Sequence, residues 1–246
     1  VNVDDLNLED FIKSSAEETL GLAETKEPET KENCIVIVNE EAISSFMLAI
    51  RSQLSCAMEY LQYPYLNYGD KIGNINFTLD PFLPAMSESS AWTPEGMPAQ
   101  KCLMIKHGKV VNQIIDNRFG QYLGKKPNGV TGNMVLETGS IRYKDFFMQI
   151  KEPVLEIIQF SSLLVDEQKL TWSSEIKFAK QYNPDGSVTL IKGGVVSGDI
   201  RENFKTCVLS LESAVVNFPG NQFKESKGYV GPMRMMIRDG VSVAGR

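Results

Sequence analysis

Apolar residues recur at steps of three and four positions in one early segment, and this feature most restricts the fold. The series comprises Ile43, Phe46, Met47, Ile50, Leu54, Ala57, Met58 and Leu61. Such spacing places apolar side chains on one face of a helix, so we predict a long amphipathic helix from Glu40 to Leu61. Asn39 can cap its start, and the β-branched run Cys34–Val38 predicts a buried strand before it. A helix with so wide an apolar face needs a sheet to pack against.

Two tight turns predict antiparallel hairpins further along the chain. His107-Gly108 connects Lys101–Lys106 to Lys109–Ile115, and Asn183-Pro184-Asp185-Gly186 connects Glu175–Tyr182 to Ser187–Lys192. Other segments predict strands at Ile75–Leu79, Val154–Val165 and Met233–Ile237, helices at Tyr143–Lys151 and Arg201–Val215, and a loop at Pro219–Pro232. We therefore predict an α+β fold class, with a mostly antiparallel sheet, a long amphipathic helix and a few shorter helices.

The first part of the chain is predicted to lie outside the main domain. Leu8, Phe11, Ile12 and Leu20 have rough helical spacing and Gly21 supplies a stop. The polar stretch from Glu24 to Asn33 predicts a solvated linker or loop. We expect residues 1–33 to be the tail of a preceding N-terminal domain with its linker, and residues 34–246 to form one domain.

Composition excludes several classes of function. The 25 Lys and Arg against 31 Asp and Glu give a formal charge of −6, without the basic stripe that nucleic-acid binding needs. No apolar run is long enough to cross a membrane, and the acidic start is unlike a secretory signal. The four cysteines form no C-x-x-C pair. We expect a cytoplasmic protein with buried thiols that binds neither nucleic acid nor membrane.

The chain offers no self-contained catalytic constellation. Its one histidine, His107, falls in a predicted turn, so no H-E-x-x-H motif and no Ser-His or Cys-His pair away from that turn can form. Lys192-Gly193-Gly194 is a weak echo of a phosphate loop, and a bend at a strand end explains it better. We therefore predict no catalytic residue, no metal ligand and no cofactor in this chain.

Several short motifs follow one another in a fixed order along the chain. They are Asp80-Pro81-Phe82-Leu83-Pro84, the segment WTPEGMPAQ from Trp92 to Gln100, Gly124 with Thr131-Gly132-Asn133, the segment NMVLETG from Asn133 to Gly139, GGVVSGD from Gly193 to Asp199, and the ending Val241-Ser242-Val243-Ala244-Gly245. Together they resemble the TldD/PmbA family, once called modulators of DNA gyrase. The match runs from about Ile35 onward and corresponds to the family's C-terminal domain. Met97 and Ala99 depart from the usual Val and Thr, and Asn203–Asn217 is less rich in glycine than its family counterpart.

The resemblance implies a role in peptide cleavage. TldD-like subunits resemble metallopeptidases with a His-Glu-x-x-x-His zinc motif in their N-terminal half, and PmbA-like subunits, also called TldE, lack it and pair with them. The stretch at Glu95-Gly96-Met97-Pro98 favours the PmbA/TldE kind. On this interpretation the chain pairs with a TldD-like subunit, or with a second copy, and zinc belongs to the partner. Thr131, Gly132 and Asn133 are then candidate peptide-binding residues, because glycine permits the close approach of another chain.

Two other interpretations stay open at this point. The chain can be part of a self-sufficient metal-dependent peptidase with its zinc motif in a separate N-terminal half, or a purely structural dimerisation domain. The upstream sequence, searched for His-Glu-x-x-x-His, separates a metal-free subunit from a self-sufficient peptidase.

Overall fold

The computed structural model describes residues 8–21, 24–148, 150–220 and 226–245. Its helices are α1 (Leu8–Gly21), α2 (Glu40–Gln53), α3 (Cys56–Tyr60), α4 (Asn117–Tyr122), a 3-10 helix (Tyr143–Phe147) and α5 (Ile200–Thr206). Its strands are β1 (Ile35–Asn39), β2 (Phe77–Asp80), β3 (Cys102–Lys106), β4 (Lys109–Val110), β5 (Asn133–Leu136), β6 (Val154–Phe160), β7 (Leu164–Asp166), β8 (Thr171–Tyr182), β9 (Val188–Ile191), β10 (Val195–Asp199), β11 (Val208–Leu209), β12 (Ser213–Phe218), β13 (Lys227–Pro232), β14 (Arg234–Ile237) and β15 (Val241–Ala244). No helix of the described residues is long and apolar enough to span a membrane.

The strands form two sheets. The larger has nine strands in the order β11-β14-β1-β6-β8-β10-β15, with β7 and β9 also paired to β8, and the smaller has the order β12-β13-β5-β2-β3-β4. The α+β prediction is confirmed, and both predicted hairpins form, as β3–β4 and β8–β9. The sheets are mixed, however, because β1 runs parallel to β6 and β5 runs parallel to β13.

Helix α2 lies between the two sheets. It contacts β1, β7 and β14 of the larger sheet and β5, β12 and β13 of the smaller one. Phe46, Met47 and Ile50 are completely buried, and Glu41 is the one exposed residue of this helix. The predicted amphipathic helix on a single sheet is therefore wrong: α2 is covered on nearly every side.

The predicted helix from Glu40 to Leu61 is also too long. Its regular hydrogen bonding stops at Leu54, where a distant extended segment enters: Ile114 N–H donates to Leu54 O at 2.8 Å, and Cys56 N–H donates to Ile114 O at 2.9 Å. The hydroxyl of Ser55 then accepts from Ala57 N–H at 3.2 Å and caps α3. The correct description is a 14-residue helix followed by a short one.

A bent ribbon joins the sheets, and the sequence prediction missed most of it. Strands β11 and β14 pair in the larger sheet, whereas β12 and β13 pair in the smaller one. At the bend, Ser210 N–H donates to Arg234 O and Met233 N–H to Glu212 O, at 2.9 and 2.8 Å. The predicted helix at Arg201–Val215 is wrong beyond Thr206, and the predicted loop at Pro219–Pro232 is a strand from Lys227; residues 221–225 lie outside the described ranges.

The glycines of β13 are the reason that this segment resembles a loop in the sequence. A Cβ at Gly228 would lie 1.9 Å from Asn133 Oδ1, and one at Gly231 would lie 2.5 Å from Tyr229 Oη. Both glycines therefore make room for neighbouring side chains within a strand. Two other predicted elements are shorter than expected: Val154–Val165 divides into β6 and β7, and Tyr143–Lys151 contains only the 3-10 helix.

Residues 24–33, which we call the strap, lie along the larger sheet. Lys26 N–H donates to Leu190 O in β9, and Lys31 exchanges two hydrogen bonds with Val243 of β15. Pro28, which is buried, packs so closely that a Cβ at Gly194 would lie 2.6 Å from its ring. Gly193 and Gly194 thus form the bend at a strand end, with φ of +85° and +68°. The domain boundary between residues 33 and 34 stays a prediction.

Candidate functional site

A large groove lies where the two sheets approach each other. Its volume is about 960 Å³, within the usual range for ligand clefts. One wall is formed by the end of β6 and the start of β7, the floor by the N-terminal half of α2, and the other wall by β12 and Lys227.

Two strands that border this groove have an unpaired edge. Within the described residues β12 pairs with β13 alone, and β7 pairs with β8 alone. Val216 and Phe218 of β12 and Leu164 of β7 line the groove. An unpaired edge presents a row of backbone N–H and C=O groups that a further strand can complete.

The lining combines apolar side chains with charges of both signs. Leu48, Phe160, Leu163, Val216 and Phe218 supply the apolar surface, and Glu41, Glu167, Lys177 and Lys227 supply the charges. Lys227 Nζ donates to Ser45 Oγ at 3.0 Å, and Ser45 Oγ donates to Glu41 O at 2.9 Å. The start of β13 is thereby tied to the helix floor.

The start of α2 is fixed by contacts with the larger sheet. Asn39 accepts from Ala42 N–H at 3.1 Å and donates to Ile158 O at 3.3 Å, which joins the helix cap to the β6 wall. Next to it, Arg234 forms a 2.6 Å ion pair with Glu40. Asn39 therefore fixes both the floor and one wall of the groove.

A buried carboxylate, Glu156, also contacts Arg234 and is fully satisfied by its neighbours. Its side chain is 2% exposed and lies 3.5 Å from Arg234 Nε. Tyr143 Oη and Tyr182 Oη donate to it at 2.5 and 3.1 Å. Burial, together with the adjacent carboxylate, raises the pKa of Tyr182 to about 12. These bonds fasten the 3-10 helix to the larger sheet.

The predicted residues Thr131, Gly132 and Asn133 lie elsewhere, and none of them lines the groove. Asn133 is completely buried; it donates to Asp80 O at 3.0 Å and Ser89 Oγ at 2.8 Å and accepts from Glu88 N–H at 3.2 Å. At Gly132 a Cβ would lie 2.4 Å from Pro81 N. The space next to Gly132 is thus occupied by the chain's own backbone.

The loop held by Asn133 nevertheless reaches the groove strand β12. Ser87 N–H donates to Asn217 Oδ1 at 2.8 Å, and Asn217 Nδ2 donates to Ala85 O at 3.1 Å. Glu88 forms a 2.6 Å ion pair with Arg51 of α2. The family-like segment therefore supports β12, and a peptide contact at residues 131–133 stays a prediction. The sequence of β12 does not reveal the groove, because Val215 interrupts the alternation of polar and apolar residues and only the exposure of the side chains alternates.

Neither the histidine nor the cysteines form a reactive group. His107 lies in the hairpin turn with φ of +46°, and its side chain is exposed. All four cysteines are free. Burial raises the pKa of Cys56 to about 11 and that of Cys207 to about 12, so both stay protonated thiols near neutral pH.

The described residues do not supply a zinc donor set. Among them, no three His, Cys, Asp or Glu side chains lie close enough together to hold a metal ion. The groove lining contains the carboxylates Glu41 and Glu167 and neither histidine nor cysteine, whereas protein zinc sites use three or four such ligands. The described lining of the groove therefore does not fit a zinc ion.

Residues 31–245 match the family described as the PmbA/TldA metallopeptidase C-terminal domain. Solved structures with a similar fold include a protein described as a modulator of DNA gyrase from Bacteroides thetaiotaomicron, with 15% identity over 95% of this chain and 52% of that chain, and a TM-score of 0.76. TldE from Thermococcus kodakarensis has 15% identity over 98% and 56%, with a TM-score of 0.75. A second protein described as a gyrase modulator, from Thermotoga maritima, has 16% identity over 98% and 56%, also with a TM-score of 0.75.

The chain spans about half the length of each of these proteins. At this level of identity the likeness concerns the fold. No curated protein matches the chain significantly.

Proposed function

The chain belongs to the TldD/PmbA family, as its metallopeptidase C-terminal domain, and from this we propose that it holds extended peptide substrates for a peptidase. The observation that carries the proposal is the groove between β7 and β12, which has a partly apolar lining and two strand edges that no described residue pairs with. Adding a strand to an open edge binds a peptide through its backbone and so accepts many sequences. Such binding suits peptides and unfolded segments of proteins.

The proposal assigns the chain to the TldE-like kind of subunit. Its groove lacks a zinc donor set among the described residues, and one structure with the same fold is a TldE. On this proposal the catalytic zinc resides in a TldD-like partner subunit. The other possible partner is a second copy of this chain, and a measurement of the oligomeric state can exclude that arrangement. The free thiols support a reducing compartment, the cytoplasm.

Filling the groove tests the binding role. Ser45→Trp places a large side chain on the groove floor, and Ser52→Trp makes the same change on the same helix away from the groove. We expect the Ser45→Trp variant to lose affinity for a fluorescent unstructured octapeptide in an anisotropy titration, and the Ser52→Trp variant to keep it. Thermal melts of both variants establish that they are folded. Equal binding by both variants contradicts the groove assignment.

Metal content tests the proposal that this chain has no zinc site of its own. Elemental analysis of the purified 246-residue chain, after dialysis against zinc and then buffer, should give far less than one zinc per chain. A stoichiometric, tightly held zinc would contradict the proposal that this chain has no zinc site of its own.

A further inference from the structure

The two faces of β12 differ in what they offer to an added strand. Ala214, Val216 and Phe218 are half-buried, and the last two line the groove, whereas Ser213, Val215 and Asn217 are exposed on the other face. Val215 is 61% exposed. Side chains of a paired strand alternate between the same two faces. Every second side chain of a peptide on this edge therefore enters the groove, and the others face solvent.

The inward positions meet apolar surface. Val216 and Phe218 lie beside them, Leu48 lies on the floor, and Phe160 and Leu163 lie on the opposite wall. An apolar side chain placed there is removed from water, which stabilises the complex by about 25 cal/mol for each Å² buried. A polar side chain at the same position loses hydration.

The outward positions and the charges give little selection. Asn217 already donates to Ala85 O and accepts from Ser87 N–H, so its amide is occupied by the protein's own loop. The described lining of the groove carries two acidic and two basic side chains, Glu41, Glu167, Lys177 and Lys227. These charges balance, so they do not select a peptide of one sign.

We infer that the groove selects extended segments with apolar side chains at alternate positions, bound as an added strand on β12. This inference rests on the proposed peptide-binding function and names its substrate class. Such two-residue alternation is typical of segments that form half-buried β-strands in folded proteins, and these segments are unpaired when the protein is unfolded. The pattern, and not a particular residue or charge, is what the groove recognises.

Two octapeptides of identical composition test the pattern directly on the 246-residue chain. One alternates Val with Thr or Lys, and the other groups its valines in one block. Anisotropy titration should give roughly tenfold or greater weakening for the block peptide, because fewer of its valines can face inward. A third peptide keeps the alternating sequence but carries N-methyl groups at every second residue, and it should also bind weakly because it cannot complete a strand.

Matched variants of β12 locate the effect in the protein. Val216→Asp places a charge in the groove and should abolish the preference for the alternating peptide, whereas Val215→Asp changes the exposed face and should preserve it. Equal affinity for the alternating and block peptides overturns the inferred pattern but leaves peptide binding intact. Equal affinity for the N-methylated peptide overturns strand addition, and absence of binding by every peptide overturns the proposed function together with the inference.

Discussion

At the residue scale, Gly132 was chosen from the sequence as a candidate peptide-binding residue, and in the structure it lies next to the chain's own backbone. Its φ is +112°, a conformation that favours glycine, and an added Cβ would meet the backbone of Asp80 and Pro81. The sequence correctly indicates that another chain segment approaches closely here. It does not reveal that the segment is the protein's own, because Asp80 lies far back in the chain and only the β2–β5 pairing brings the two together.

We expect Gly132→Ala to destabilise the fold strongly. The new Cβ would lie 2.4 to 2.5 Å from backbone atoms of Asp80 and Pro81, which cannot move as a flexible side chain can. Gly96→Ala is the matched control, because Gly96 also has a positive φ, +78°, but nothing lies within 4 Å of its Cβ. Urea unfolding should show a loss of about 1–2 kcal/mol for the control from backbone strain, and a clearly larger loss for Gly132→Ala. Equal losses would contradict the packing argument.

The ion pair of Asp80 makes the stability of the fold depend on pH. Burial by itself raises the pKa of Asp80, but the hydrogen bond and charge of Lys101, 2.7 Å away, and the Phe82 N–H together hold that pKa below its ordinary value of 3.8. The ion pair therefore stabilises the fold above pH 3.8, and this contribution is lost as the pH falls through the lower, folded-state pKa.

Asp80→Asn should consequently lower the urea midpoint at pH 7. The difference from the parent chain should shrink below pH 3.8, where the parent carboxylate itself becomes protonated. Lys101→Met removes the ion-pair partner of Asp80. Its urea midpoint should also be lower than that of the parent chain at pH 7 and should approach the parent value below pH 3.8. A constant difference from neutral pH down to about pH 3 would show that the charge of Asp80 does not contribute.

At the scale of elements, local signals were sufficient for turns and strand cores but not for element ends. The His107-Gly108 and Asn183–Gly186 turns were predictable because their residues favour the required backbone angles. The end of α2 was not, because it is set by Ile114, a partner distant in the chain from Leu54. The β12–β13 ribbon was missed for a related reason: the glycines of β13 serve packing against Asn133 and Tyr229, which short-range patterns do not contain.

Because α2 lies between the two sheets, we expect a disruptive substitution at its centre to unfold the whole domain. Ile50 is completely buried in a helix that contacts both sheets, so Ile50→Asp leaves an unpaired charge in the core and should unfold the whole domain. Ile50→Val is the graded control and should cost about 0.5–1.5 kcal/mol. Hydrogen exchange should show simultaneous loss of protection in β1 and in β5 of the Ile50→Asp variant. Protection that persists in either sheet would refute a single cooperative unit.

At the scale of the whole molecule, the strap closes edges that would otherwise be open. It pairs with Ile191 of β9 on one side and with Val243 of β15 on the other. Exposed strand edges promote association between chains. The polar composition of the strap gave no indication of this structural role. The strap binds through the backbone hydrogen bonds of Lys26 and the packing of Pro28, and not through a run of apolar side chains.

Removal of residues 24–30 of the strap should uncover the edge of β9 and make the protein self-associate. A chain that begins at residue 31 loses the Lys26 hydrogen bonds and the Pro28 packing, whereas one that begins at residue 22 keeps them. Light scattering after size-exclusion chromatography should show larger species only for the shorter chain, together with a lower urea midpoint. Monodisperse behaviour of the shorter chain at the size of the longer one would contradict the protective role.

The pairing of β1 between β6 and β14 also sets the order in which this chain can fold during synthesis. Val36 pairs with Ile237, so β1 cannot complete its pairing until this much later part of the chain has left the ribosome. Contacts between such distant positions make folding slow. A newborn chain therefore passes an interval with its apolar strands exposed, and during that interval it is itself an unfolded segment of the kind that we propose the groove binds.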